Sequence, residues 1–133
     1  MKAVKLKAWR YYKSWRKKKT YSPALKSEIK VSLKGWRHLT GASGFKKRSF
    51  ADIYRRLKLL PYAREIILKS TTIQNITKKS GLKYYALEAM IEVKEGNTKL
   101  PRKVRVIIQE DKTGNLIFLS VMDKKKRFTR AKD

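Results

Sequence analysis

The sequence predicts an α+β fold in which N-terminal helices pack on one face of a four-stranded antiparallel meander sheet. Two observations support this prediction. Up to Lys69 the apolar residues recur at helical spacing, whereas beyond Ser70 runs rich in Thr, Ile, Val and Tyr alternate with short turn sequences. Helices followed by strands indicate an α+β domain, and the short breaks between the strands favour hairpin connections.

Composition predicts the kind of partner. The chain has 133 residues, with 36 Lys+Arg against 10 Asp+Glu and a formal net charge of +26. This excess predicts a polyanionic partner, with nucleic acid as the first candidate and an anionic membrane as the second. The absence of cysteine excludes disulfides and thiol catalysis. No apolar run approaches the ~20 residues that span a bilayer, so we expect a cytoplasmic protein that does not use a membrane.

The N-terminal segment is basic and has the spacing of an amphipathic helix over residues 2–19. Its Trp9, Tyr12 and Trp15 either dock this helix on the domain or stack on bases, and both interpretations stay open. The run that follows contains Ser22-Pro23 and no periodicity, which predicts a linker. The predicted organisation is therefore a basic helix and linker (1–27), an α+β domain (28–123) and a basic tail (124–133).

The first helix of the predicted domain is short. Ser32 is a good N-cap and Gly41 a good C-terminal stop for a helix that ends near Thr40. Leu33 and Trp36 are expected to face the core. The opposite face is expected to carry Lys34, Arg37 and His38.

A longer helical region follows the basic loop. Ser49 and Asp52 resemble a capping box that opens a helix with an apolar stripe from Phe50 to Leu60. Pro61 is expected to end or kink this helix and to begin a further one that runs to Lys69. Strands are predicted near residues 71–77, 83–94, 102–110 and 116–122.

His38 is the single histidine of the chain and the residue best suited to transfer a proton near neutral pH. The cations at Lys34 and Arg37 disfavour protonation of its imidazole, whereas a bound phosphate favours it. Such a group suits a general acid or base in phosphodiester cleavage, with the two cations stabilising charge on the phosphoryl oxygens. In the alternative interpretation all three residues form a solvated basic face.

Three polar residues interrupt the apolar strands: Glu88 in YYALEAMIEV, Arg105 in VRVII and Ser120 in LIFLSVMD. A carboxylate, an arginine and a histidine are sufficient for metal-free ribonuclease chemistry, so these positions are candidate catalytic residues. Equally, Glu88 and Arg105 could form an ion pair across strands. A three-residue turn at 112–114 would place Ser120 opposite Val106, and a slip of one residue would place it opposite Arg105.

A basic loop supports a second interpretation. Residues 41–44 read GASG, a GxxG sequence between two helices of the kind with which KH-type modules clamp a nucleic-acid backbone. This favours a non-catalytic RNA- or DNA-binding module, for which Gly44→Asp should abolish binding and His38→Ala should not. The cations that we predict to bind nucleic acid are Lys34, Arg37, Lys46, Lys47, Arg48, Arg55 and Arg56.

The sequence also argues against several classes of site. With one histidine, no cysteine and no clustered carboxylates, a zinc or two-metal nuclease centre is not expected, and neither is any other cofactor. A third interpretation is a structural basic protein in which only the termini bind nucleic acid. It predicts that a fragment from Glu28 to Met122 no longer binds.

Residues 29–124 resemble a known superfamily. KGWRHLTG precedes the sheet, RRLKLLPYAREII forms the second helical region, YYALEA and RKVRVIIQED lie on central strands, and LIFLSVMDKK ends the domain. This pattern resembles the superfamily that joins barnase, EndoU, colicin-type tRNases and RelE toxins, in particular its phage and mobile-element branches.

The resemblance implies a metal-independent endoribonuclease. Such enzymes use the 2′-hydroxyl as nucleophile, leave a cyclic phosphate and often act as toxins that an acidic partner protein neutralises. The implied substrate is RNA, such as tRNA or ribosome-bound RNA. The family combines a basic or histidine residue from the helices with Arg, Glu, Ser or Tyr from the sheet. On this chain His38 matches the helical contribution, and Arg105, Glu88 and Ser120 match the sheet contribution.

Overall fold

The computed structural model describes residues 2–41 and 49–123. In chain order its elements are α1 (Lys2–Arg16), β1 (Tyr21–Ser22), β2 (Ser27–Glu28), α2 (Leu33–Thr40), α3 (Phe50–Lys69), β3 (Asn75–Lys79), β4 (Leu82–Glu95), β5 (Thr98–Glu110) and β6 (Leu116–Asp123). The basic tail from residue 124 onwards lies outside the described residues.

The principal sheet is the predicted antiparallel meander, with strand order β3-β4-β5-β6. Together with the helices that pack against it, this sheet confirms the α+β fold class. β4 and β5 pair from Lys83↔Glu110 to Glu95↔Thr98, so the turn between them is shorter than the predicted loop and Pro101 lies within β5. Proline is tolerated there because β6 pairs with β5 only from Val104 onwards, which leaves Pro101 in an edge segment.

α3 is one continuous helix, so of the two predicted effects of Pro61 the one that ends this helix and begins a further one is wrong. Leu57, Leu60 and Ala63 are buried on both sides of the proline. Each large side chain of this face contributes about 1.5–3 kcal/mol when it is fully buried. That packing offsets the roughly 3 kcal/mol that an interior proline costs a helix. The predicted apolar stripe begins later than expected, since Phe50 and Tyr54 are exposed.

α1 belongs to the same hydrophobic core as the sheet. Tyr12 and Trp15 are fully buried, and their ring centroids lie 6.2 and 4.8 Å from that of Phe118 on β6. The docking interpretation of these two aromatics is therefore confirmed. Trp9 is partly buried and packs 5.0 Å from Trp36 of α2.

The segment after α1 differs from the predicted linker. β1 and β2 form a small antiparallel hairpin in which Ser22 pairs with Ser27. Thr20 is fully buried and accepts a hydrogen bond of 2.8 Å from Nε1 of Trp15. These contacts fix the segment to the core, although its sequence lacks periodicity. The described part of this segment, from residue 2 to residue 27, thus contributes α1 and the hairpin to contacts with the predicted α+β domain.

α2 has the predicted bounds and a different buried face. Ser32 and Gly41 flank it, and Gly41 has the left-handed conformation (φ 76°) of a helix C-cap. Leu33 is exposed, against expectation, whereas Gly35 and Leu39 are buried. A Cβ atom at Gly35 would lie 2.5 Å from the Phe118 carbonyl oxygen and 2.6 Å from Tyr12 Oη. Glycine is what lets α2 approach β6 this closely.

Candidate nucleic-acid interface and catalytic residues

α2 is fixed to the sheet through a side chain that the sequence analysis assigned to nucleic-acid binding. Lys34 Nζ donates a hydrogen bond to Oε1 of Gln109 on β5. Nε2 of Gln109 donates in turn to the hydroxyl of Tyr84 on β4, at 3.1 Å. The ammonium group of Lys34 is therefore engaged with the sheet, and Gln109 is a site residue that sequence reasoning missed. Its one signal was a buried polar residue at the end of the apolar run VRVIIQ.

Glu88 and Arg105 form the ion pair that was one of the two predicted interpretations. They lie directly opposite each other on β4 and β5. Nε of Arg105 donates to Oε2 of Glu88 at 2.6 Å, and its NH2 group contacts the same oxygen. Lys103 lies 3.9 Å from Oε1 of Glu88. Arg105 NH1 has no hydrogen-bond partner among the described residues, so one edge of the guanidinium is left for a ligand.

Glu88 and Arg105 differ in how much of each side chain is exposed to solvent, and this difference indicates different roles. The Glu88 side chain is 6% exposed and the Arg105 side chain 21% exposed. A buried carboxylate that accepts from both Nε and NH2 orients the arginine, because this geometry fixes the plane of the guanidinium. Arg105 is thus the member of the pair that meets solvent, and Glu88 holds it in place.

The sheet face of Arg105 is the face that α2 reaches. Side chains alternate along a strand, so Arg105 and Gln109, four residues apart on β5, project to the same side. Lys34 contacts Gln109 on that side, and His38 lies one helical turn after Lys34 on the same face of α2. The Lys34 side chain therefore links α2 to the sheet face that carries Arg105. His38 is half-buried and has an interaction of its own within the protein.

α2 lies beside the open edge of the sheet at β6. Lys30, three residues before the helix, forms a parallel bridge with Ile117. Its carbonyl accepts a hydrogen bond of 2.8 Å from the Phe118 amide. The hydroxyl of Tyr12 donates to the Ser32 carbonyl at 2.6 Å. Burial raises the pKa of this hydroxyl far above its ordinary value, so the donor keeps its proton.

The predicted position of Ser120 is wrong by one residue. The register shifts between the pairs Ile108↔Phe118 and Ile107↔Ser120, which leaves Leu119 of β6 unpaired as a β-bulge, and Ser120 lies opposite Ile107 rather than Val106. A bulge inserts an unpaired residue that turn length alone does not reveal. Ser120 is fully buried, and its hydroxyl accepts a hydrogen bond from NH1 of Arg56. In this structure Ser120 therefore joins β6 to α3.

The other predicted cations are distributed between structural and exposed positions. Arg56 donates from Nε to Oδ2 of Asp52 at 3.0 Å, in addition to its contact with Ser120. Arg55 is half-exposed and lies 3.9 Å from Asp52. Arg37 is exposed on α2. The predicted binding residues Lys46, Lys47 and Arg48, like all of the GASG loop after Gly41, lie outside the described residues.

One tyrosine on β4, on the side of the sheet opposite to Glu88, is unsuited to act as a base. Tyr85 on β4 donates a hydrogen bond of 2.6 Å to Oε1 of Glu110. That hydrogen bond, followed by burial and the charge of Glu110, raises the pKa of Tyr85 to about 12. The group is therefore protonated throughout the physiological range.

Within residues 2–41 and 49–123, no three His, Asp or Glu side chains lie together as ligands for a metal ion. No helix in that part of the chain is long and apolar enough to cross a bilayer. Fold and site thus define a class: a strongly basic α+β protein with an arginine–carboxylate pair on its sheet. No protein-family model, curated protein or solved structure matches the chain.

Proposed function

We propose that the protein is a metal-independent endoribonuclease of the barnase, EndoU, colicin-tRNase and RelE type, acting in the cytoplasm on RNA. The observation that carries the proposal is the Lys34–Gln109 hydrogen bond. It fixes α2, which carries the single histidine, to the sheet face of the Glu88–Arg105 pair. The net charge of +26 supports RNA as the polyanionic partner.

The proposed reaction requires two proton transfers and one stabilised charge. The 2′-oxygen forms a bond to phosphorus, the bond to the 5′-oxygen breaks, and the products carry a 2′,3′-cyclic phosphate and a 5′-hydroxyl. We assign one proton transfer to His38 and the other to Oε1 of Glu88, since its Oε2 accepts from Arg105 and orients the guanidinium. Arg105 binds a non-bridging phosphoryl oxygen through NH1 and stabilises the charge that develops there. Lys34 adds positive electrostatic potential. Ser120 and Arg56 are assigned a structural role, because the hydrogen bond between them joins β6 to α3.

The direct test is RNA cleavage in the presence of EDTA. Purified protein incubated with total RNA should cleave it, and both His38→Ala and Arg105→Ala should reduce the rate by about 100-fold or more, as expected for loss of an acid–base or charge-stabilising group. Lys83→Ala, an exposed cation on β4, is the matched control and should cleave at the wild-type rate. Unchanged cleavage by His38→Ala would contradict the proposal.

A non-catalytic RNA-binding module is the second candidate, and one observation favours it. Glu88 and Arg105 satisfy each other, as a purely structural ion pair does. On that interpretation the wild-type protein binds RNA and leaves it intact in EDTA, and His38→Ala has the wild-type affinity.

The proposal extends to a partner. If the protein is toxin-like, we expect a small acidic inhibitor to cover the basic surface around α2, because complementary charge accelerates and orients such association. Growth arrest on expression that His38→Ala relieves would support this role. Co-expression of an acidic inhibitor should suppress the arrest.

A further inference from the structure

A groove lies between α3 and the far half of the β4–β5 hairpin, beside the end of β6. Its volume is about 380 Å³, which is within the range of small-ligand sites. Among the residues that line it are Tyr54, Arg55, Lys58, Lys94, Arg102 and Asp123.

This groove lies on the other side of the sheet from the proposed catalytic residues. Alternation along β5 places Arg102 on the side of Val104, opposite to Arg105. Alternation along β4 likewise places Val93, which lines the groove, opposite to Glu88. The two regions are separate, so a ligand in the groove does not touch the Glu88–Arg105 pair.

The charge of the groove selects an anion. Arg55, Lys58 and Arg102 supply three cationic side chains to the groove and Asp123 supplies one carboxylate, whereas alternation along β4 places the side chain of Lys94 on the other side of the sheet, with Glu88. Asp123 is paired with Arg102, whose NH1 lies 3.4 Å from its Oδ2. Lys58, on α3, is exposed. A phosphate is the anion that such a set of cations binds best.

An exposed aromatic ring among the residues that line the groove indicates which kind of phosphate-containing ligand the groove binds. Tyr54 is 41% exposed, and the ammonium group of Lys58 lies 5.5 Å from its ring centroid. Phe50, one helical turn earlier on α3, is 79% exposed. Large aromatics exposed beside cations are the features with which proteins hold the unpaired bases of single strands.

We propose that this groove binds a segment of single-stranded nucleic acid, with a base against Tyr54 and phosphates at Lys58 and Arg55. A duplex keeps its bases stacked and cannot offer one to the ring. An acidic peptide would pair with the cations but would leave Tyr54 and Phe50 without a role. The inference shares with the proposed function its class of ligand and does not depend on catalysis.

Binding to an uncleavable strand tests the groove. We would use a fluorescein-labelled 2′-O-methyl RNA of about 12 nucleotides, within the site sizes typical of single-strand binders, and measure its anisotropy. Tyr54→Ala should weaken binding by roughly 5- to 150-fold, the range for loss of one stacked base. Tyr54→Phe should bind like the wild type. The matched control is Tyr21→Ala, since Tyr21 lies outside the groove and is 53% exposed.

Removal of one positive charge tests whether the groove contacts a phosphate of the strand. Lys58→Gln should weaken binding and lower the slope of log affinity against log salt by about 0.7, the value for one phosphate contact on a single strand. Lys83→Gln removes the same charge from β4, outside the groove, and should change both the affinity and the salt slope by less. Unfolding midpoints equal to the wild type would show that the variants fold.

Three results would overturn the inference. The first is that Tyr54→Ala and Tyr21→Ala bind the strand with equal affinity. The second is that Tyr54→Ala loses duplex and single-strand binding equally. The third is binding of poly-glutamate that depends on Lys58 but not on Tyr54. The last would assign the groove to an acidic protein segment. Cleavage of RNA that still requires His38 would show that only this inference, and not the proposed function, has failed.

Discussion

Gly35 shows how one residue can determine the position of α2. The backbone of this helix passes so close to Phe118 that a side chain cannot fit. We predict that Gly35→Ala lowers the free energy of unfolding by about 1–3 kcal/mol, the usual cost of an overpacked core. This net loss includes the gain that alanine brings to a helix interior. Urea unfolding followed by circular dichroism measures the effect, and Arg37→Ala, on the exposed side of α2, is the control. Stability equal to that control would contradict the close approach.

Asp111 provides a prediction that depends on pH. The Thr113 hydroxyl donates to its carboxylate at 2.8 Å, and the Asn115 amide donates at 2.9 Å. The hydrogen bond from Thr113, with those from Asn115, lowers the pKa of Asp111 from its ordinary 3.8. A lowered pKa in the folded state contributes stability above pH 3.8 that is lost as the pH falls through the folded-state value.

We therefore expect Asp111→Ala to lower Tm at pH 7 and the difference from wild type to narrow progressively below pH 3.8. Scanning calorimetry at several pH values measures this. Lys112→Ala, in the same turn, should show no such dependence. A difference that stayed constant down to pH 2 would show that the carboxylate charge is not the cause.

For individual residues, the sequence identified candidate site residues more reliably than it identified the contacts that these residues make. Glu88 and Arg105 stood out as charges within apolar strands, and their pairing was one of two stated interpretations. Gln109 was missed, because only the tertiary approach of Lys34 gives it a role. Ser120 was misplaced because a bulge depends on packing between strands and leaves no mark in turn length.

At the level of helices and strands, the N-cap residues of α2 and α3 can be compared directly, because both are serines. The Ser49 hydroxyl accepts a hydrogen bond of 3.1 Å from the Asp52 amide, whereas the Ser32 side chain makes no capping hydrogen bond. We predict that Ser49→Ala costs about 1 kcal/mol of stability, the typical value for loss of a cap. Ser32→Ala should cost much less. Denaturant unfolding of the two variants compares them, and equal losses would contradict this difference.

Helix bounds were predictable where local chemistry sets them. The bounds of α2 follow from Ser32 and Gly41, which are residues with specific backbone preferences. The continuity of α3 through Pro61 was not predictable, because it depends on what the helix buries. The same holds for the hairpin that replaces the predicted linker after α1.

The contacts of α1 change how a fragment of the protein should be used. A fragment that begins at Glu28 would remove Tyr12 and Trp15 from the core. Loss of a single large aromatic from a core costs about 3–5 kcal/mol. Loss of nucleic-acid binding by such a fragment would therefore report unfolding as well as charge, so point substitutions in the full chain are the better test.

For the whole molecule, the meander was predictable from the change of periodicity near Ser70, since short connections restrict antiparallel strands to neighbouring positions. The position of α1 was not predictable from the sequence, because an amphipathic basic helix can either dock on a domain or bind a polyanion. The buried aromatics of α1 decide this question only through the tertiary structure.

The net charge of +26 gives a prediction for the whole molecule. Affinity for RNA should fall steeply with salt, by about a thousandfold or more between 50 and 200 mM if six or more phosphates are contacted. Filter binding or anisotropy across this range measures the slope. An uncharged peptide nucleic acid of the same sequence should bind weakly at every salt concentration. A flat salt dependence with RNA would show that the cations are not the binding groups.

The chemistry of the RNA ends tests the central claim most directly. Wild-type protein incubated with RNA in EDTA should yield fragments that end in a 2′,3′-cyclic phosphate and begin with a 5′-hydroxyl, as mass spectrometry can establish. The same RNA with 2′-O-methyl groups should stay intact, and so should unmodified RNA incubated with His38→Ala. Fragments with 3′-hydroxyl ends, cleavage of the methylated strand, or intact RNA with the wild-type protein would contradict the assignment of an endoribonuclease.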